Sequence, residues 1–370
     1  MNLILLTSSR ADYGIYLPLL NKIVKDDFFK LKIVAFGTHL SELHGSTYKV
    51  IENDGFGVYA KIENLVHGDS PESIATSIGL TTIKFASFWQ HECKKTDIII
   101  CLGDRFEMFA AVVASLPFGI PVCHISGGET TLGAIDDPLR HSITHIAKYH
   151  FVTTAQSAER VEKMTNSDTN IFNTGSLGLD NLSEMKLYTA TEMKSKYNID
   201  FSMPTILFTF HPETTVEVSK NSEYINAIIE VLKDVPYQIV ITMPNADTAG
   251  NVIRHALNNI KETNFPVIIV ENFGTLGYFS ALKHCSFMLG NSSSGITEAA
   301  SLNKYVINLG NRQKGRIQNP NVINCEIEPQ KIHEAIKLVA SLPNYASGNV
   351  YWKENVADNM ISILKNLEKH

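Results

Sequence analysis

The stretch DIIICLGDRFEMFAAVVASLPFGIPVCHI, residues 97–125, holds one complete structural repeat. Asp97 to Leu102 is a short β-branched run, the pattern of a strand covered on both faces. Gly103 turns the chain, Phe106 to Leu116 carries apolar residues at helical spacing, and Pro121 to Ile125 is a second strand. A strand, a helix and a strand in this order form a βαβ crossover, which makes the two strands parallel.

The same alternation extends in both directions. Strand patterns recur at Leu3 to Leu6, Leu31 to Phe36, His150 to Thr153 and Asn170 to Asn173. Helical patterns fall at Ile15 to Lys25, Ser73 to Lys94, Leu139 to Lys148 and Gln156 to Met164. A second series has strands at Thr205 to Thr209, Gln238 to Thr242, Val267 to Val270, Phe287 to Leu289 and Tyr305 to Asn308. Its helices are expected at Ser222 to Lys233, Ala249 to Asn259, Thr275 to His284, Gly295 to Leu302 and Pro329 to Leu342. The reading is α/β: two doubly wound parallel-sheet domains, 1–178 and 179–350, with a cleft between them. A last helix, Val350 to Glu368, is expected to carry the C-terminal piece 351–370 back to the first domain.

Length and composition agree. The 370 residues suffice for two or three domains, and 44% hydrophobic with 19% charged residues is an ordinary folded composition. The net charge of −6 supplies no positive field for a polyanion, so nucleic acid is excluded as principal partner. No apolar run approaches a membrane span, and the N-terminus lacks the pattern of an export signal. Cys93, Cys101, Cys123, Cys285 and Cys325 form no C-x-x-C pair, which points to reduced thiols and a cytoplasmic location.

Chemistry-bearing residues cluster where strands end. Thr7 to Gly14 occupies the place of a dinucleotide-binding turn but is not G-x-G-x-x-G, so no nicotinamide cofactor is expected. Its hydroxyls and Arg10 suit a phosphate, unless Arg10 pairs with Asp12. Asp104 and Arg105 follow Gly103; Asp104 is a general-base candidate, or else caps the next helix. His124, Gly127, Gly128, Glu129, Asp136, Asp137, Arg140, His141 and His145 form the densest ionisable cluster, offering acids, bases and cations to a substrate. No compact metal-ligand spacing appears in it, and no metal is expected. His211 and the turn Asn245 to Asp247 end strands of the second half. Gly290-Asn291-Ser292-Ser293-Ser294-Gly295, with Glu298 beyond, offers hydroxyls and backbone N–H groups to a diphosphate, or else makes an ordinary capping box. Arg312 follows in a cationic loop.

Taken in order, the Ser9 to Gly14, Leu102 to Arg105, Gly127 to Glu129, Asp136-Asp137, Arg140-His141, Phe210 to Pro212, Pro244 to Asp247, Asn291 to Gly295 and Gly310 to Gln313 segments resemble the hydrolysing UDP-N-acetylglucosamine 2-epimerases. The resemblance spans nearly the whole chain. It implies two Rossmann-like domains in a GT-B arrangement, a homodimer or homotetramer, and a role in bacterial sialic acid or legionaminic acid synthesis. It further implies UDP contacts from Arg10, His211, Ser292, Ser293, Glu298 and Arg312, with Arg105 and Asn245 lining the sugar and diphosphate. Proton transfer would fall to Asp104, Glu129 and Asp136, with His211 beside them. Asp12, His124, Arg140, Asp247, Asn291, Ser294 and Gly295 complete the expected substrate-binding set. Ser126 stands where some relatives carry glutamate. A glycosyltransferase or a sugar-nucleotide sensor would share the serine loop; only the first would need an acceptor.

Overall fold

The structure is a computed structural model that describes residues 1–66, 68–244, 249–260 and 263–367. The chain divides into two compact units. The first comprises Met1–Glu129, Asp136–Ser183 and Lys353–His370; the second comprises Thr130–Ile135 and Glu184–Trp352.

The first unit is built on β1 (Asn2–Thr7), β2 (Lys30–Phe36), β3 (Val58–Ile62), β4 (Ile98–Leu102), β5 (Val122–Ile125), β6 (Tyr149–Val152) and β7 (Ile171–Asn173). They form one sheet in the order β3-β2-β1-β4-β5-β6-β7, with every pairing parallel. Strand residues alternate between two cores, as a period of two requires. Leu3, Leu5, Ile33, Ile98 and Ile100 pack in one core with Tyr16, Leu20, Met360 and Leu364. Ile4, Leu6, Val34, Ile99 and Cys101 pack in the other with Phe85, Trp89 and Met108. The closing helix runs Val356–Asn366, shorter than the sequence pattern, and is tied to this unit by Lys22–Asp358 and Lys365–Asp26 ion pairs.

The second unit carries β8 (Thr205–Thr209), β9 (Gln238–Thr242), β10 (Val267–Val270), β11 (Phe287–Gly290), β12 (Val306–Leu309) and β13 (Val322–Cys325). Their order is β10-β9-β8-β11-β12-β13, again all parallel. Ile206, Phe208, Ile239, Ile241 and Leu289 face one core; Leu207, Val240 and Met288 face the other.

The expected doubly wound α/β architecture is therefore present twice. Strand order reverses between β1 and β4 in the first sheet and between β8 and β11 in the second. Loops at the carboxyl ends of such strands diverge and open a crevice, the usual ligand position in this architecture. Several elements depart from the sequence reading. Edge strands β3 and β13 were not expected, nor the helices Tyr48–Asn53, Leu177–Glu184 and Ala190–Tyr197. The first helix begins at Arg10 rather than near Ile15, because Ser9 and Asp12 cap it reciprocally. The expected helix Gly295 to Leu302 is two pieces, Ser293–Thr297 and a 3₁₀ turn Ala299–Leu302. Among the described residues no helix is long and apolar enough to cross a membrane.

Candidate functional site

In the first unit, the loop after β1 is organised by a carboxylate. Asp12 is 5% exposed and accepts from Thr7 Oγ1 at 2.6 Å, Ser8 N at 2.8 Å and Ser8 Oγ at 2.9 Å. His39 continues the network, with Nε2 2.9 Å from Thr7 Oγ1 and Nδ1 2.8 Å from Thr47 Oγ1. Burial alone would raise the Asp12 pKa, but the hydrogen bond and charge of His39, with Thr7 and Ser8, hold it below the ordinary value. Asp12, expected on the substrate, shapes the turn that carries Arg10, the first residue of the helix Arg10–Ile23.

Across the strand-order reversal, Gly103 (φ +78°) turns the chain after β4. Arg105 holds the N-cap position of the helix Phe106–Val113 and no side chain caps it, so the capping alternative for Asp104 does not hold. Arg105 reaches Glu107 at 3.0 Å. Asp104 forms an ion pair with Arg140, which is 4% exposed and also donates to the Glu129 carbonyl at 3.2 Å. One guanidinium thus gathers two of the candidate acid–base positions. Glu129, 5% exposed, accepts from Thr153 Oγ1 at 2.7 Å. Asp136 and Asp137 lie in the first turn of the helix Asp136–Ile146, where the helix dipole favours negative charge. Asp137 also faces His141 at 3.4 Å. Arg140, expected at the substrate, meets the Asp104 carboxylate and the Glu129 backbone carbonyl.

His124 takes a different place from the one expected. It is fully buried on β5, and its Nε2 lies 2.8 Å from the Gly103 carbonyl. A carbonyl only accepts, so Nε2 carries the proton and Nδ1, 3.2 Å from Thr144 Oγ1, is bare. Burial, with smaller contributions from neighbouring His150 and Arg140, pushes its pKa down to about 3. A neutral histidine therefore braces the Gly103 turn that presents Asp104, and Gly127 packs against its ring because a Cβ there would meet Nδ1 at 2.9 Å.

In the second unit, three strand-end loops are tied by amides. Asn291, fully buried, receives the His211 N–H at 2.7 Å on Oδ1 and donates Nδ2 to the His211 carbonyl at 2.8 Å. Its own carbonyl accepts from Gln313 Nε2 at 2.8 Å and lies 3.4 Å from Arg312 Nη1. Asn291 therefore fixes the β8 and β12 loops relative to β11. Gly290 allows this approach: at φ +136° its Cα sits against the Thr209 backbone, and a Cβ would run into it. Ser292 caps the helix Ser293–Thr297 by accepting from Ser294 N at 3.3 Å. Gly295 is a packing position, since a Cβ would meet Val306 Cγ1 at 2.8 Å. Glu298 closes that helix rather than forming a capping box; Thr297 Oγ1 donates to it, and burial raises its pKa to about 7. Asn245 and Asp247 lie outside the described residues. Among the described residues no three His, Cys, Asp or Glu side chains gather in a group that could hold a metal ion.

Sequence reasoning missed His39, Thr153, Gln313 and the hub roles of Arg140 and Asn291. Only Arg140 left a local signal, its three-residue spacing from Asp137 on one helix face.

The sequence profile of UDP-N-acetylglucosamine 2-epimerases matches residues 21–365. The chain belongs to that family. Among its relatives, the UDP-N,N'-diacetylbacillosamine 2-epimerase (hydrolyzing) of Legionella pneumophila is 31% identical over 368 residues, covering 100% of this chain and 96% of the relative. The GDP/UDP-N,N'-diacetylbacillosamine 2-epimerase (hydrolyzing) of Campylobacter jejuni is 33% identical over 325 residues, 87% and 84% of the two chains. The fold matches the crystal structure of UDP-GlcNAc 2-epimerase from Neisseria meningitidis bound to UDP-GlcNAc, with a TM-score of 0.81 at 19% identity, covering 99% and 100% of the two chains. Family membership agrees with the resemblance read from the motifs. It makes the protein an epimerase of sugar nucleotides and gives the clustered acids around Arg140 a chemical context.

Proposed function

We propose that the protein is a hydrolysing 2-epimerase that converts UDP-N-acetylglucosamine and water to N-acetylmannosamine and UDP, supplying sialic acid synthesis. The observation that supports this reading is the buried Arg140 guanidinium, which pairs with the Asp104 carboxylate and donates to the Glu129 backbone carbonyl. The hydrolysing relatives above 30% identity support the reaction class.

The C2 proton of the sugar has no adjacent carbonyl to acidify it, because C1 is an acetal carbon. Breaking the C1–O bond sends its electron pair to UDP and builds positive charge at C1. A carboxylate then removes the C2 proton, and the C–H electrons form the C1=C2 bond of a 2-acetamidoglucal. Water next adds its oxygen to C1 and gives up one proton to a carboxylate, while the C1=C2 electrons take a proton at C2 from a second carboxylic acid on the opposite face. Asp104 and Glu129, with Asp136, are assigned to these transfers. Arg10, His211, Ser292, Ser293 and Arg312 would hold UDP and stabilise the departing diphosphate, and Glu298 would accept from ribose hydroxyls. Arg105 is assigned to the sugar.

The names of the Legionella and Campylobacter relatives favour a second substrate, UDP-N,N'-diacetylbacillosamine, for the same chemistry. Ile83 is 71% exposed on the helix Pro71–Glu92, beside exposed Ala75, Gly79 and Ala86, which supports a homodimer or homotetramer. Five free cysteines suit a cytoplasmic setting. Proton NMR in D₂O with each nucleotide sugar tests the proposal. Release of UDP with a manno-configured product deuterated at C2 is expected from one of them; two intact nucleotide sugars overturn the reading.

A further inference from the structure

Glu213 follows His211-Pro212 and has no part in the reaction just described. It is 1% exposed, a costly position for a carboxylate unless hydrogen bonds fix it. Its backbone is locked by Asn221, whose Oδ1 accepts from Glu213 N at 2.9 Å and whose Nδ2 donates to the Glu213 carbonyl at 3.0 Å. Its Oε1 accepts the Asn311 N–H, 98 residues further along the chain. The same oxygen packs onto Gly310, at φ +71°, so closely that a Cβ there would collide with it.

The turn that Glu213 grips carries Arg312. Its other side is closed by the Thr130–Ile135 segment: Leu132 N donates to the Lys314 carbonyl at 2.9 Å, and Gly133 packs against Asn311. Gln313 ties the turn to Asn291 and hence to the serine loop. The turn is therefore shaped by contacts that need no ligand, with the carboxylate bond at Asn311.

We infer that Glu213 is a positioning residue that holds the Gly310–Arg316 turn, and with it the Arg312 guanidinium, ready for the diphosphate of the nucleotide. The inference rests on the proposed UDP-sugar activity and names what organises its anion subsite. Glu213 acts only through the Asn311 amide. A neutral acceptor of the same shape would serve, and an apolar side chain would not. A turn already in place loses little conformational freedom on binding, so loosening it weakens the ligand that uses it.

Calorimetric titration with UDP and with uridine, on the wild type, Glu213→Gln and Glu213→Leu, tests this. Glu213→Leu should bind UDP about tenfold or more weakly, the scale of a lost charge-assisted hydrogen bond, with uridine affinity unchanged. Glu213→Gln should restore UDP binding to within about threefold of wild type. Equal UDP affinity in all three proteins overturns the inference, as does a parallel loss of uridine, which would mark a general structural defect. A wild type that binds no UDP defeats the proposed function itself, and the inference with it. Should Glu213→Leu not fold, hydrogen exchange on the wild type decides. The Asn311 amide is expected to be protected before any UDP is added, and free exchange there overturns the inference.

Discussion

The two units share a winding order and differ in what they place at its reversal. In the first, carboxylates meet basic or hydroxyl partners: Asp104 with Arg140, Asp137 with His141, and Glu129 with Thr153. In the second, the scaffold is made of amides and backbone: Asn291 with His211, Gln313 with Asn291, and Asn221 with Glu213. Ion pairs at a strand end supply groups whose protonation can change. Amide lattices supply fixed geometry that no proton alters. Under the proposed function, the first copy of the fold moves protons and the second holds the anion.

The largest effect expected from this contrast is chemical. Asp104→Asn should lower kcat by about 10²- to 10⁴-fold while UDP binding is kept, read by product NMR alongside titration. Loss of UDP binding in that variant would break the division of labour. Gly290→Ala attacks the other unit, forcing a Cβ into the Thr209 backbone at φ +136°, and should destabilise the fold by roughly 3 kcal/mol in urea unfolding. A neutral result would mean that the close approach of β8 and β11 is not needed.

The pH dependences should oppose each other. His124 has a folded pKa of about 3 against an ordinary 6.5, so the unfolded chain binds the extra proton first. Stability is then full above pH 6.5 and falls on acidification, by roughly 3 kcal/mol at pH 4. Chemical denaturation from pH 7 to 4 should show the decline, and His124→Asn should flatten it. Glu298 has the reverse sign. Its folded pKa of about 7 lies above the ordinary 4.5, so the folded state keeps the proton and stability falls as pH rises between those values. Glu298→Gln should remove that slope and gain up to roughly 3 kcal/mol at pH 8. A Glu298 carboxyl that titrates near 4.5 by NMR would remove the basis for it.

Interior strands were legible because both their faces are buried: Ile98–Leu102 and Thr205–Thr209 read as unbroken apolar runs. The edge strand Val58–Ile62 alternates half-buried and exposed residues, with Tyr59 and Lys61 turned out, so its composition resembles a loop. The helix Ala190–Tyr197 announces itself through the Thr189/Glu192 capping box, but its single buried residue, Met193, leaves no apolar stripe to read. At the site, residue types and strand-end positions were visible, while partners were not. Asn291 meets His211 across 80 residues and Arg140 meets Asp104 across 36, pairings set by sheet order rather than by spacing. The same order explains why His124, read as a substrate-binding residue, is buried: on β5, its side chain points into the sheet's packing and finds the Gly103 carbonyl.

The chain passes between the units at 129/130, 135/136, 183/184 and 352/353. No single cut separates them. Residues 184–352 made alone would lack the six-residue piece that caps the Lys314 carbonyl and packs Gly133 onto Asn311. Residues 1–183 made alone would lack Val356, Met360 and Leu364 from a core that surrounds them completely. A gene encoding this protein cannot trade one half by joining fragments at one junction. The repeated sheets look modular, yet a single junction in the chain cannot part them.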